Sequence, residues 1–145
     1  MKQRNKAVPA VYLILEKNGA ILMMKRYNTG YQDGNFGLPS GHVEINELPL
    51  AAMVRELEEE LGVRVKKDDL KLVHTLYRAA HDETGERLDL FFAANRWEGE
   101  PKNREPQKCD DLQWFSLANL PNNMVPYIRF VLEKISENAP YSEGS

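Results

Sequence analysis

The segment Pro49–Gly62 constrains this chain more than any other. Proline suits the first turn of a helix, where its missing N–H has no intrahelical partner to lose. Glycine just past the last turn accepts the left-handed conformation that ends a helix. Between them Ala51, Val54, Leu57 and Leu61 recur at helical spacing and form the expected buried stripe. Glu56, Glu59 and Glu60 stand at i, i+3 and i+4, so they are neighbours on the helix surface, on the side expected to lie opposite that stripe. Three crowded carboxylates repel one another, and without a counter-charge some take up protons. Two readings are open. Runs of charge on helices are commonly solvated faces. Alternatively, a divalent cation resolves the repulsion, because hard cations such as Mg²⁺ take carboxylate oxygens and share them with substrate phosphates.

The rest of the chain frames that helix as part of one domain, residues 1–145. Val8–Glu16 and Ala20–Lys25 are β-prone, and Asn18-Gly19 between them signals a hairpin turn. Residues 27–35 are polar, with Gly30 and Gly34, and are expected to be a loop. Phe36–Val43 is expected to be a short strand or bend. Lys71–Ala80 and Leu88–Trp97 are two further expected strands, joined through His81–Glu86. Glu98–Cys109 is a long polar loop, and Leu112–Leu117 a short strand. Val125–Ser136 is a second amphipathic helix with Ile128, Val131, Leu132 and Ile135 on its apolar face. Ala139–Ser145 is small and polar and is expected to be a disordered tail. Strands and two helices in this order suggest a mixed sheet with helices on both faces.

The surroundings of the acidic helix carry a longer pattern. Gly41, Glu47, Arg55, Glu56, Glu59, Glu60 and Gly62, with aliphatic Leu57 and Val63, stand at the spacing of the Nudix box over residues 41–63. The chain resembles the Nudix hydrolase family, and within it the MutT-type nucleotide pyrophosphohydrolases. The resemblance implies an α/β fold, the Nudix α/β/α sandwich, with Mg²⁺ as cofactor and Mn²⁺ as a possible substitute. It implies metal ligation by Glu56, Glu59, Glu60 and the Gly41 carbonyl, and a supporting role for Glu47. Arg55, which also sits i, i+4 from Glu59, is implied to orient a catalytic glutamate. Trp97–Pro101 followed by Lys102–Glu105 is similar to the corresponding MutT loop, which makes Glu105 a candidate metal ligand or general base. A solvated loop glutamate is the competing reading.

Substrate residues are less legible. Asn122 or Asn123 resembles a base-reading asparagine, although two turn-forming asparagines after a proline explain the same residues. Arg26 and Lys25, at the end of a strand, are candidates to face phosphates. Phe36, Tyr27, Tyr31 and Tyr127 are candidates for stacking on a base, against ordinary packing for each. His42 and His81 are candidates for phosphate contact, against plain surface residues. Ser40 and Asn46 depart from the glycines common at those places, and Ala79-Ala80 lacks the proline of ADP-ribose-specific members. Tyr77 falls early for the tyrosine that marks dinucleoside-polyphosphate members.

Composition sets outer bounds. A net charge of −3 implies no broad basic surface, so no polymeric nucleic acid is expected as partner. No apolar run approaches the roughly 18 residues of a membrane helix, so no membrane is expected. The single cysteine, Cys109, fits a reducing compartment, and a cytoplasmic protein is expected. The resemblance leads to hydrolysis of a small nucleotide substrate to a nucleoside monophosphate and pyrophosphate. The alternatives are an ADP-ribose or nucleotide-sugar pyrophosphatase, and a non-catalytic nucleotide-binding domain. Monomer and homodimer stay open.

Overall fold

Apolar residues run without alternation from Ala10 to Leu15, the pattern of a strand buried on both faces. In the computed structural model, which describes residues 2–80 and 85–144, they form the middle of β1 (Ala7–Lys17), and every one of them is buried. Ala10, Tyr12 and Ile14 join the core beneath helix α2 (Pro126–Ser136), while Val11, Leu13 and Leu15 join the core beneath α1 (Pro49–Leu61). One helix therefore covers each face of the sheet, as expected. His81 lies outside the described residues.

The turn after β1 has Asn18 and Gly19 at φ 53° and 76°, the left-handed pair that matches strand twist in a tight hairpin. The chain returns as β2 (Ala20–Arg26), with Lys17 opposite Ala20. The remaining strands are β3 (Phe36–Gly37), β4 (Ser40–His42), β5 (Lys71–Arg78), β6 (Glu86–Ala94), β7 (Cys109–Ser116) and β8 (Tyr141–Gly144). Their order is β3-β2-β1-β6-β5-β8, with β4 added along β1 and β7 along β2. β1 runs parallel to β6, and β5 to β8; the other pairs are antiparallel. The sheet is thus mixed, in agreement with the sequence.

Three expectations are corrected. Helix α1 is rolled relative to its expected stripe: it buries Ala52, Met53, Leu57 and Leu61, while Ala51 and Val54 are only half-buried. The row Ala52–Glu56–Glu60 thereby turns toward β4, so two of the three glutamates face the fold and not solvent. Trp97 leaves the sheet after β6 ends at Ala94 and stacks on Trp114 of β7, 6.1 Å between ring centroids. The expected tail is a strand through residue 144, hydrogen-bonded to the edge of β5. The residue that anchors it is His74, 1% exposed in the middle of β5. Its two ring nitrogens contact the Ala139 carbonyl at 2.8 Å and Ser142 Oγ at 2.7 Å. Neither partner is near His74 in sequence, so short-range patterning gives no sign of the strand. Among the described residues, no helix is long and apolar enough to cross a membrane.

A buried polar group left without its partner costs about 1–3 kcal/mol. Ser142→Ala leaves one His74 nitrogen unpaired and is predicted to lower unfolding stability by about that amount in urea titration. A loss near zero would mean that β8 is not anchored through His74.

Candidate active site

The acidic row of α1 meets the sheet at β4. Glu56 packs its carboxyl against the Cα of Gly41: a Cβ built there would lie 2.1 Å from Glu56 Cδ and 2.2 Å from Oε1. Only glycine permits that approach. Four residues on, Glu60 is mostly buried and accepts the Ser40 backbone N–H at 2.9 Å. Glu59 is on the outer flank, its side chain 58% exposed.

Arg55 ties the loop between β4 and α1 to the helix. Its guanidinium forks onto Glu47, with Nε to Oε2 at 2.8 Å and Nη2 to Oε1 at 3.0 Å. Nη1 donates to Glu56 at 2.8 Å and to Glu59 at 3.4 Å, and Nη2 also donates to the His42 carbonyl at 3.2 Å. The Arg55 fork, with the Glu44 backbone N–H, holds the Glu47 carboxyl down to a pKa of about 2. In the same loop Asn46 has φ 66°. Asparagine tolerates this left-handed conformation better than most residues, which explains how the chain departs from glycine here. Ser40 is likewise harmless, because only its backbone N–H is used.

Glu105 reaches the cluster because its loop caps α1. The last carbonyls of a helix lack intrahelical donors. Here Arg104 N donates to Glu60 O and Lys102 N to Leu61 O, both at 3.0 Å, and the Arg104 side chain donates to Glu58 O at 3.3 Å. The Asn103 side chain closes the loop, donating to Cys109 O at 2.6 Å and accepting from Glu105 N at 3.1 Å. Glu105 and Glu60 then line one cleft of about 380 Å³, with Lys25, Arg26 and Lys108 as its cations.

Burial pushes the Glu60 carboxyl well above its ordinary range; Glu56, Glu105 and Glu59 push the same way, while the Ser40 N–H opposes them. Burial also raises Glu56, against the pull of Arg55. The fold thus brings four carboxylates to one region and partly withdraws Glu56 and Glu60 from water.

The sequence over residues 4–135 matches the NUDIX domain family. The chain belongs to that family. The 8-oxo-dGTP diphosphatase of Escherichia coli strain K12 is 30% identical over 77% of this chain and 81% of that protein. The ADP-ribose pyrophosphatase of Methanocaldococcus jannaschii is 36% identical over 78% of this chain, which spans 65% of that protein. Among solved structures, the MutT NUDIX hydrolase of Burkholderia pseudomallei superposes with a TM-score of 0.80 at 28% identity, covering 89% of this chain and 98% of that one.

In this Nudix hydrolase Glu56 lies against Gly41, and Arg55 links it to Glu47 and Glu59. The donor set, four carboxylates that repel one another with two desolvated, suits a hard divalent cation. Among the described residues no three acidic, histidine or cysteine groups already converge at ligating distance. Glu56 and Glu59 turn toward Arg55, and Glu60 toward Ser40. The structure separates the other candidates. Phe36 is 5% exposed and packs edge-on against Phe115 at 4.9 Å; it is a core residue and offers no free face to a base. The Asn123 side-chain amide donates to Gly34 O at 2.9 Å, and the Asn123 backbone carbonyl accepts from Phe36 N at 2.8 Å. Asn123 thus closes the loop of residues 27–35 and lines neither cleft at the site. Arg26 lines both clefts, although Nε donates to Tyr31 O at 2.6 Å.

The sequence reading missed a buried network beside His42. Asp89, 0% exposed, accepts from Arg78 Nε at 2.5 Å and from Tyr12 OH at 3.2 Å, and Tyr12 OH lies 3.1 Å from Tyr127 OH. The one available signal was an aspartate inside the apolar strand Leu88–Ala94.

Two outcomes are predicted. Glu60 has a folded pKa above its ordinary value of 4.5, so folding favours its protonated form. Its contribution is fully present below the ordinary value and is lost as pH rises through the raised one. Metal-free wild type should therefore lose melting temperature as pH rises above the ordinary carboxylate range, relative to Glu60→Gln, whose neutral amide keeps an acceptor for Ser40. Parallel pH profiles would contradict this. Gly41→Ala displaces the Glu56 carboxyl and should cut activity on the order of 10- to 100-fold in steady-state assays. Wild-type turnover would show that the close approach is not needed.

Proposed function

We propose that this protein hydrolyses the phosphoanhydride bond of a nucleoside triphosphate, or of a modified one, releasing a nucleoside monophosphate and pyrophosphate. The observation that carries this reading is the pair of half-buried carboxylates, Glu56 and Glu60, set against Ser40 and Gly41 beside a cleft lined by Lys25, Arg26 and Lys108. The cations of this lining attract a polyphosphate, and its carboxylates Glu60 and Glu105, the latter 4.0 Å from Lys108, suit a metal shared with it.

Glu56, Glu59, Glu60 and Glu105, with the Gly41 carbonyl, are the groups that would hold Mg²⁺, or Mn²⁺ in its place. The ion supplies charge neutralisation at phosphate oxygens and an acidified water. The chain does the remainder. Arg55 keeps Glu56 and Glu59 in register through hydrogen bonds, and Glu47 holds Arg55 in turn. A carboxylate of the cluster takes the proton from the attacking water. Lys25 and Lys108 draw the phosphates in and offset the charge that grows on the leaving group.

The 8-oxo-dGTP diphosphatase relative supports the triphosphate reading. The ADP-ribose pyrophosphatase of Methanocaldococcus jannaschii, at 36% identity, favours a second reading in which the substrate is a nucleoside diphosphate joined to a sugar. Product analysis separates the two: pyrophosphate follows from the first, and two phosphomonoesters from the second. Glu59→Gln and Glu60→Gln are each predicted to lower kcat/KM with Mg²⁺ by at least about 100-fold, equivalent to about 2.7 kcal/mol of transition-state stabilisation. Undiminished hydrolysis across a nucleotide panel would remove the assignment.

A further inference from the structure

The site has a second lobe. Ser40 and Arg26 line both the cleft with Glu60 and a neighbouring cleft of about 440 Å³. Gly41 and His42 form the near wall of this second cleft, and Arg78 and Tyr127 lie in its lining. A substrate whose phosphates sit at Glu60 therefore has room for its other end here.

Arg78 is held in a way that an ordinary cleft arginine is not. Its Nε donates to Asp89 Oδ2 at 2.5 Å, and Nη2 reaches Asp89 Oδ1 and Tyr12 OH, each at 3.4 Å. The guanidinium carbon lies 4.0 Å from the centroid of the Tyr127 ring, which covers one face of the group. Nη1 has no hydrogen-bond partner among the described residues, and the side chain keeps 18% exposure. The hydrogen bonds that Arg78 donates to Asp89 fix the plane of the fork, and the ring fixes its tilt. A guanidinium already ordered in this way loses little conformational freedom when it binds.

Asp89 itself is fully buried and touches no cleft. Burying a carboxylate is costly unless it is paired and hydrogen-bonded. An apolar residue would fill the same place in β6 without that cost. What Asp89 adds is direction for Arg78.

We propose that Asp89 is the positioning residue of the second lobe, holding Arg78 over Tyr127 as a fixed donor for acceptor atoms on the end of the substrate away from the scissile phosphoanhydride. This rests on the hydrolase reading for the position of the phosphates. Two chemical sources supply acceptors that suit such a donor: the N7 and O6 edge of a guanine, and the oxygens of a phosphate.

Calorimetric titration of the full chain with three probes tests the assignment: the α,β-methylene analogues of GTP and ATP, and inorganic tripolyphosphate. Arg78→Lys keeps the charge and loses the fork. Asp89→Asn keeps the shape and loses the carboxylate. Each is expected to weaken binding roughly tenfold for a probe that uses the lobe, with KM rising and kcat held within about twofold for the corresponding nucleotide. In the Arg78→Lys background, Asp89→Asn should add little, because residues acting as a unit are not additive. A loss confined to the guanine analogue assigns a purine edge, and a loss shared with tripolyphosphate assigns phosphate oxygens. Tyr127→Leu removes the ring and leaves the ion pair intact. It is expected to weaken the same probe, and it carries the test if Asp89→Asn fails to fold. Equal losses from Asp89→Asn in both backgrounds overturn the proposal. So does unchanged binding in Arg78→Lys, and so does a wild type that binds none of the probes. If the wild type binds with this pattern and cleaves no nucleotide, the hydrolase reading falls and the positioning role stands.

Discussion

Helix α1 carries acidic side chains into the fold, and the rest of the site follows from that choice. Glu56 lies against the bare Cα of Gly41, and Glu60 lies beneath Ser40. Glu56 could not lie there if β4 carried a side chain at 41, and both would turn away from β4 if the helix were rolled to bury Ala51 and Val54. The arrangement sets like charges near one another with little water to screen them, which is unfavourable on its own. Arg55 offsets part of this through five acceptors, from Glu47 to the His42 carbonyl. It also fastens the loop to the helix. What remains is an electrostatic deficit at Glu60, and a divalent cation is the natural complement to it.

The same economy governs the neighbouring segments. The loop of residues 98–108 satisfies carbonyls at the end of α1, and in doing so brings Glu105 beside Glu60. A structural need, capping a helix, thereby positions a chemical group. On the other side, β1 is buried on both faces and gives the rigid base from which β4 and β6 extend. The cleft with Glu60 and the neighbouring cleft share Ser40 in their linings, so one short strand edge borders both.

The parts of this structure legible in the sequence are those encoded by local rules. Pro49 and Gly62 mark the ends of α1, Asn18-Gly19 marks the first hairpin, and the run 10–15 marks a strand with two covered faces. The box spacing named the glutamates, and similarity in one loop brought Glu105 into consideration. Helical spacing alone did not set the roll of α1, because Val54 and Ala52 satisfy the same periodicity and β4 decides between them. Phe36 and Asn123 looked like substrate residues because aromatic and amide groups suit bases. The fold uses them for the core and for a loop closure. His74–Ser142 and Arg78–Asp89 join residues far apart in the chain or on facing strands. No local pattern announces such pairs, and a histidine in a strand or an aspartate in an apolar run gains its meaning only once its partners are adjacent.

The central claim is that the carboxylates at 56 and 60 are held protonation-prone by burial and by one another until a cation arrives. Mg²⁺ titration by calorimetry in two buffers of different ionisation enthalpy tests this directly. Just above the ordinary carboxylate range the ion should displace protons from the site, so the observed heat should differ between buffers, and the protons released should fall in Glu60→Gln. Binding with identical heats in both buffers, or no binding at all, would contradict the account.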